Sequence, residues 1–209
     1  MELCLPISAQ LTERPDLHSI GTAFFVRGHS GAIWLLTCAH LATKDTNYAA
    51  LHRWPFVFSL HLPTRQTITL PLLTAGGEPR FTPVLTREGV MIDLVALSAG
   101  PVPSNVLDNI TIYDLSAPHA APASGEIIES FGFPHIEEVW PPQNPSVMQG
   151  RYLRRLATGA HEAEIGMIPG HSGGPVMTMA GQLIGMGIGQ SDAYVDRIIP
   201  LDVIELVAT

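Results

Sequence analysis

The residues most able to do chemistry lie in the segment PGHSGGPV, 169–176. A serine between glycines, Ser172, can sit on a tight turn where backbone N–H groups converge and no bulky side chain blocks a carbonyl approaching it. Alone, the pattern also describes a glycine-rich hairpin with an incidental serine. Its chemistry depends on a base and an orienting acid elsewhere in the chain. Gly170-His171-Ser172-Gly173-Gly174 satisfies the GxSxG pattern of α/β-hydrolases, but that fold takes its acid and then its histidine from beyond the nucleophile. The last histidine here is His171 itself, and the chain shows no βαβ alternation, so the esterase reading fails.

The opposite order, histidine then aspartate then serine, is met upstream. LLTCAHL (35–41) places His40 at the end of an apolar strand after two small residues, and MIDLVAL (91–97) sets Asp93 in an apolar alternating run. A carboxylate among Met, Ile, Leu and Val is costly to bury without a partner, and an imidazole N–H supplies one. His40 by itself also fits a satisfied core histidine, and Asp93 a strand start. The three together, in this order, assign Ser172 as nucleophile, His40 as general base and Asp93 as the residue that orients it.

The elements that must position them read as short strands. GTAFFV (21–26), AIWLLTC (32–38), FVFSLHL (56–62), QTITLPLL (66–73), DLVALS (93–98), EIIESFGF (126–133), GPVMTM (174–179) and QLIGMGI (182–188) are rich in β-branched and apolar residues and bounded by glycine or proline. The expected fold is all-β. LDVIELVAT (201–209) is the only helix expected, with Asp202 near its N-terminal end in a cap or first-turn role. Residues 106–125 read as the connection between an N-terminal half (1–110, with His40 and Asp93) and a C-terminal half (111–209, with Ser172). The proline-rich stretch 134–146 reads as a long surface loop.

These pieces resemble trypsin-like peptidases of the chymotrypsin fold. The matching runs are GTAFFV, TCAH for the usual Thr-Ala-Ala-His, IDLVAL for Asp-Leu-Ala-Leu, and GHSGGPV for Gly-Asp/Asn-Ser-Gly-Gly-Pro. MIPGHSGGPVMTMAGQLIGMGIG (167–189), followed by IIPLDVIELV (198–207), is most similar to disulfide-free bacterial members such as the high-temperature-requirement protease domain. The resemblance runs from about residue 20 to the end. It implies two six-stranded antiparallel β-barrels with a short C-terminal helix. It also implies an oxyanion hole from the N–H groups of Gly170 and Ser172, a substrate-pocket wall at Gly166, and substrate pairing along Gly185-Met186-Gly187. No metal or organic cofactor is implied. Gly166 carries no charge, so a small or medium apolar residue is expected before the scissile bond. Asp192 and Asp196 are the candidates for a charged pocket, and Tyr194 for a partial lid.

Two residues depart from the family pattern. Cys38 replaces an alanine. His171 replaces the Asp or Asn before the nucleophile, which in secreted trypsins pairs with a newly released N-terminus. That mode of activation is unavailable to a histidine, and the effect of His171 on the oxyanion loop is open from sequence alone.

Composition bounds the alternatives. With 11 basic and 19 acidic residues the chain has no basic footprint for nucleic acid. Arg151, Arg154 and Arg155 read as a solvated strand face. No apolar stretch is long enough to span a membrane, and the first residues lack the pattern of a secretory signal. Two cysteines give no disulfide framework, so a cytoplasmic location is expected. None of the nine histidines forms HExxH. His52 and His61 read as strand-packing residues, and His161-Glu162 as loop. The expected partners are a protein or peptide substrate and a regulatory protein, with loop disorder, for example in 134–166, as the other means of control. The alternative reading is a catalytically silent peptide-binding module. A structural or capsid-type barrel has no reason to keep the three residues in order.

Overall fold

The computed structural model describes residues 1–11, 14–42, 57–86, 91–135, 140–190 and 195–208. Seven strands build the first half: β1 Leu5–Leu11, β2 Arg14–Arg27, β3 Ile33–Thr37, β4 Val57–His61, β5 Thr67–Pro71, β6 Val95–Ser98 and β7 Ile112–Asp114. The first six lie in the order β5-β4-β1-β2-β3-β6, forming a half-barrel, and β7 adds to β2 in parallel. The second half holds β8 Ile127–Gly132, β9 Ser146–Arg155, β10 His161–Glu164, β11 Pro175–Thr178, β12 Leu183–Gln190 and β13 Asp196–Pro200. These close into a six-stranded barrel in the order β10-β13-β12-β11-β8-β9. The double-barrel, all-β fold expected from the sequence is the fold observed.

β11 and β12 hold no charged residue, and both of their faces are covered. Val176, Ile184 and Ile198 point into the closed barrel with Ile128, Tyr152, Ala163, Ile165 and Met167. Their neighbours Met177, Leu183, Met186 and Ile199 point the other way, into a second core continuous with Phe24, Phe25, Leu35, Leu36 and Leu97 of the half-barrel. Alternation divides β11 and β13 between an interior core and the seam joining the halves, and in β12 a register shift opposite Val176 and Met177 breaks the period, so that Ile184 and Met186 serve different cores.

Helix is scarce. The C-terminal helix α2 spans only Leu201–Ile204, shorter than expected, because Pro200 fixes its start and the following turn folds back. Leu201, Ile204, Val207 and Ala208 enter the shared core, and the Ala208 carbonyl lies where a Cβ on Gly28 would be, 1.9 Å away. Asp202 does sit in the first turn, paired with Arg155 rather than capping backbone. One further turn of helix, α1 Ser104–Leu107, was not expected, having no apolar periodicity to announce it and no buried residue.

Disorder, the other expected means of control, does not hold where β9 and β10 lie within 134–166, pairing with β8, with each other and with β13. Arg154 and Arg197 both reach the buried Glu162 carboxylate, at 2.7 and 3.1 Å, so His161-Glu162 is strand, not loop. Among the described residues no helix is long and apolar enough to cross a membrane.

Candidate active site

His40 lies in a single 3-10 turn, Ala39–Leu41, that ends the run out of β3. Asp93 precedes β6, the strand antiparallel to β3, so the β3–β6 ladder brings the two residues together. One carboxylate oxygen accepts the His40 backbone N–H at 2.7 Å, and the other lies 2.6 Å from His40 Nδ1. With the proton on Nδ1, Nε2 is left as the lone-pair nitrogen. Both side chains are partly exposed, at 31% and 19%.

Ser172 lies in the loop between β10 and β11, and its carbonyl accepts the Thr22 N–H of β2 at 2.9 Å. Gly173, at φ +85°, passes so close to the half-barrel that a Cβ would stand 2.2 Å from the Thr22 carbonyl, 2.6 Å from Thr37 Oγ1 and 3.0 Å from the Cys38 N. Only glycine combines that conformation with that approach. Among the described residues Ser172 Oγ makes no hydrogen bond, and the serine–histidine bonds present join other pairs: Ser130 and Ser146 with His171, and Ser8 with His61. Catalytic hydrogen bonds commonly tighten only when substrate is bound.

The N–H groups of Gly170 and Ser172 find no acceptor among the described residues, whereas His171 N donates to the Ile168 carbonyl and Gly174 N to that of His171. Two unpaired amides flanking a turn make an anion-binding arrangement. Thr22 fixes it from the other half of the molecule. Its hydroxyl donates to the Gly170 carbonyl at 2.7 Å and accepts the Phe133 N–H at 3.1 Å. Thr22 has no signal in the sequence beyond its place in GTAFFV.

Gly166 is half-buried at φ +76°, and its N–H donates to Asp196. Asp196, on β13 and fully buried, also accepts the N–H groups of Ile165 and Met167, at 2.8 and 3.0 Å. Both of its oxygens are therefore committed to shaping this wall, and Asp196 is no free charge for a basic substrate. Asp192 and Tyr194, like His52, lie outside the described residues.

Gly185 and Met186 are not on a free strand edge. They pair with Val176 and Pro175 on β11 and with Pro200 and Ile199 on β13, and the Met186 side chain is wholly buried. Gly187 gives its N–H to the Gly174 carbonyl and accepts from Gly173 N. A substrate cannot add backbone bonds there. The register shifts between Gly187 and Gly189, a bulge that spacing from the serine does not reveal. Beyond it lies Gly189, at φ +100°, where a Cβ would stand 3.6 Å from Ser172 Oγ.

Cys38 is fully buried beneath the site with its thiol toward the Gly187 carbonyl at 3.5 Å. Cys38, His40 and Asp93 bring their ligand-type atoms within 4.8 Å of one another. Burial, with Asp93 adding to it, raises the thiol well above its usual range, which disfavours the thiolate a metal would need. His61 packs edge-on to Trp140 and hydrogen-bonds Ser8, a packing role as expected.

Residues 21–186 match the family described as the trypsin-like peptidase domain. The chain belongs to that family. Among solved structures, the domain is similar to a serine endoprotease from Yersinia pestis (TM-score 0.63, 12% identity, covering 96% of this chain and 59% of that one). It is also similar to the Rv3671c protease from M. tuberculosis in its active form (TM-score 0.60, 13% identity, 97% and 77%) and inactive form (TM-score 0.58, 12%, 95% and 84%). The peptidase domain described here thus spans about three-fifths of the Yersinia chain. No curated protein matches the sequence.

Two outcomes test this arrangement. Thr22→Val keeps the shape but removes the hydroxyl that serves both groups, leaving the Gly170 carbonyl and Phe133 N–H only their mutual 3.3 Å bond, and is expected to cost about 1 kcal/mol in urea unfolding, with Thr22→Ser close to the parent. The second concerns pH. Burial lowers His171 to about 4, against a raising influence from Asp196, and burial likewise lowers His161, whose two ring nitrogens have no partner. Unfolded histidines titrate near ~6.5, so on acidification the unfolded chain takes up protons first. Stability is therefore expected to be at its full value above that pH and to fall as the pH drops toward 4. His161→Leu should shallow this decline in denaturant titrations run across the range.

Proposed function

We propose that the chain is a serine endopeptidase that cleaves peptide bonds through an acyl-enzyme. The observation that carries this reading is the doubly hydrogen-bonded Asp93–His40 pair, set across the same seam as a serine turn with two unpaired amides. His40 Nε2 takes the proton of Ser172 Oγ as the oxygen attacks the scissile carbonyl. Asp93 holds Nδ1–H and stabilises the imidazolium without taking its proton. The developing oxyanion is received by the N–H groups of Gly170 and Ser172, each such donor being worth on the order of 100- to 1,000-fold in rate. His40 then protonates the leaving amine, and water, deprotonated by the same nitrogen, releases the acyl group.

The substrate we assign is a peptide with a small or medium apolar residue before the cut. Gly166 contributes no charge to the pocket wall, and the Asp196 carboxylate is saturated by three backbone donors. Control by a protein partner belongs to the same proposal, acting on the stretch 133–146 that adjoins the Gly170 carbonyl through Phe133.

A fluorophosphonate probe with the adduct located by mass spectrometry is the direct test. Labelling is expected on Ser172, abolished in Ser172→Ala and His40→Ala, and reduced about 10⁴-fold in rate in Asp93→Asn at neutral pH. Unlabelled Ser172, with or without candidate partner proteins, would instead favour the silent binding module. On a peptide library, a profile dominated by Arg or Lys before the cut would overturn the apolar assignment.

A further inference from the structure

Within the serine turn, His171 sends its side chain away from solvent, and it is fully buried. Its ring is strung between two hydroxyls: Ser130 of β8 lies 3.1 Å from Nδ1 and Ser146, the first residue of β9, 2.7 Å from Nε2. The Ser146 hydroxyl donates its own proton to the Gly132 carbonyl at 3.3 Å. Its oxygen is therefore the acceptor for Nε2–H, and Nδ1 must accept the hydroxyl proton of Ser130. One neutral tautomer satisfies every group in this chain.

The receptacle is built for the ring. Gly132, paired with Ser146 across the β8–β9 ladder, has no Cβ, and one there would stand 2.5 Å from His171 Cα and 2.7 Å from Cγ. The neighbouring backbone is pinned at other points: Asp196 holds the amides of 165–167, and Thr22 with Phe133 holds the Gly170 carbonyl. Gly170 and Ser172, whose amides are free, are the immediate neighbours of His171 in the chain.

We propose that His171 is a positioning residue, whose neutral ring, tied to Ser130 and Ser146, holds the amides of Gly170 and Ser172 in the anion-binding orientation as soon as the chain folds. This rests on the peptidase reading of Ser172. The imidazole does here, with two hydroxyls, what an acidic residue at this position does with a positive partner. The loop then needs no cleavage and no incoming charge to form.

The test pairs kinetics with a measurement independent of turnover. For hydrolysis of a peptide ester at pH 8, Ser146→Ala is expected to lower kcat about ten- to a hundredfold with little change in KM, and Ser146→Thr to restore most of it. In long-range ¹H–¹⁵N spectra of the parent, His171 should show the neutral Nε2–H tautomer, and the amide resonances of Gly170 and Ser172 should shift in Ser146→Ala and Ser130→Ala. A charged or Nδ1–H ring in the parent overturns the proposal. So does a Ser130→Ala/Ser146→Ala double variant that keeps the parent's amide positions. If the tautomer and the amide shifts appear while fluorophosphonate never labels Ser172, the pinning stands and the peptidase reading fails.

Discussion

Everything at the site depends on one backbone-to-backbone approach between the two halves, centred on Thr22. Its N–H goes to the Ser172 carbonyl, its carbonyl receives the Thr37 hydroxyl, and its own hydroxyl serves both Gly170 and Phe133. Buried polar groups must be paired, so these bonds leave little freedom in how the serine turn sits on β2. The same hairpin that carries Thr22 continues through Thr37 and Cys38 to His40. Ser172 and His40, far apart in sequence, are thereby referred to one residue. The contact is possible only because Gly173 has no side chain to hold the chains apart.

The division of the strands between two cores explains why this seam is stiff. β11, which follows the serine directly, gives Val176 to the closed barrel and Met177 to the shared core. Moving the turn would disturb both packings at once, and close-packed interiors resist displacements of even a methylene group. The wall at 165–167 gains its rigidity differently, from one buried carboxylate that gathers three amides in place of a strand partner. Such a group is well solvated by the backbone and poorly placed to greet a substrate cation.

Much of this was legible in the sequence. Eight strands read correctly because alternation and glycine or proline boundaries are local signals, whereas β1, β7, β9, β10 and β13 went unnamed, β10 as a supposed loop; His40, Asp93 and the serine turn stood out by type and order. What was not legible is long-range or depends on pairing. Thr22 looks like any strand threonine until its partners arrive from another barrel. The bulge at Gly187–Gly189 leads to a Gly189 whose Cβ would stand 3.6 Å from Ser172 Oγ, and no count from the serine foretells a bulge. Asp196 could be read as pocket or scaffold, and only its three donors decide. The helix at 201–209 was overextended because its apolar residues serve docking onto the half-barrel, not a longer helical face.

His171 shows how a residue that departs from its family's pattern can still fit the physics of its place. A carboxylate buried behind the serine turn needs a positive partner, since an unpaired buried charge costs several kcal/mol. A neutral imidazole needs only one donor and one acceptor. Ser130 and Ser146 supply these from adjacent strands, and the missing Cβ of Gly132 supplies the room. Burial then keeps the ring uncharged, against the pull of Asp196. The exchange of an ion pair for a hydroxyl–imidazole–hydroxyl relay removes a charge from the protein's interior. It places the order of the turn under the control of folding itself, through groups that are present whenever β8 and β9 are paired.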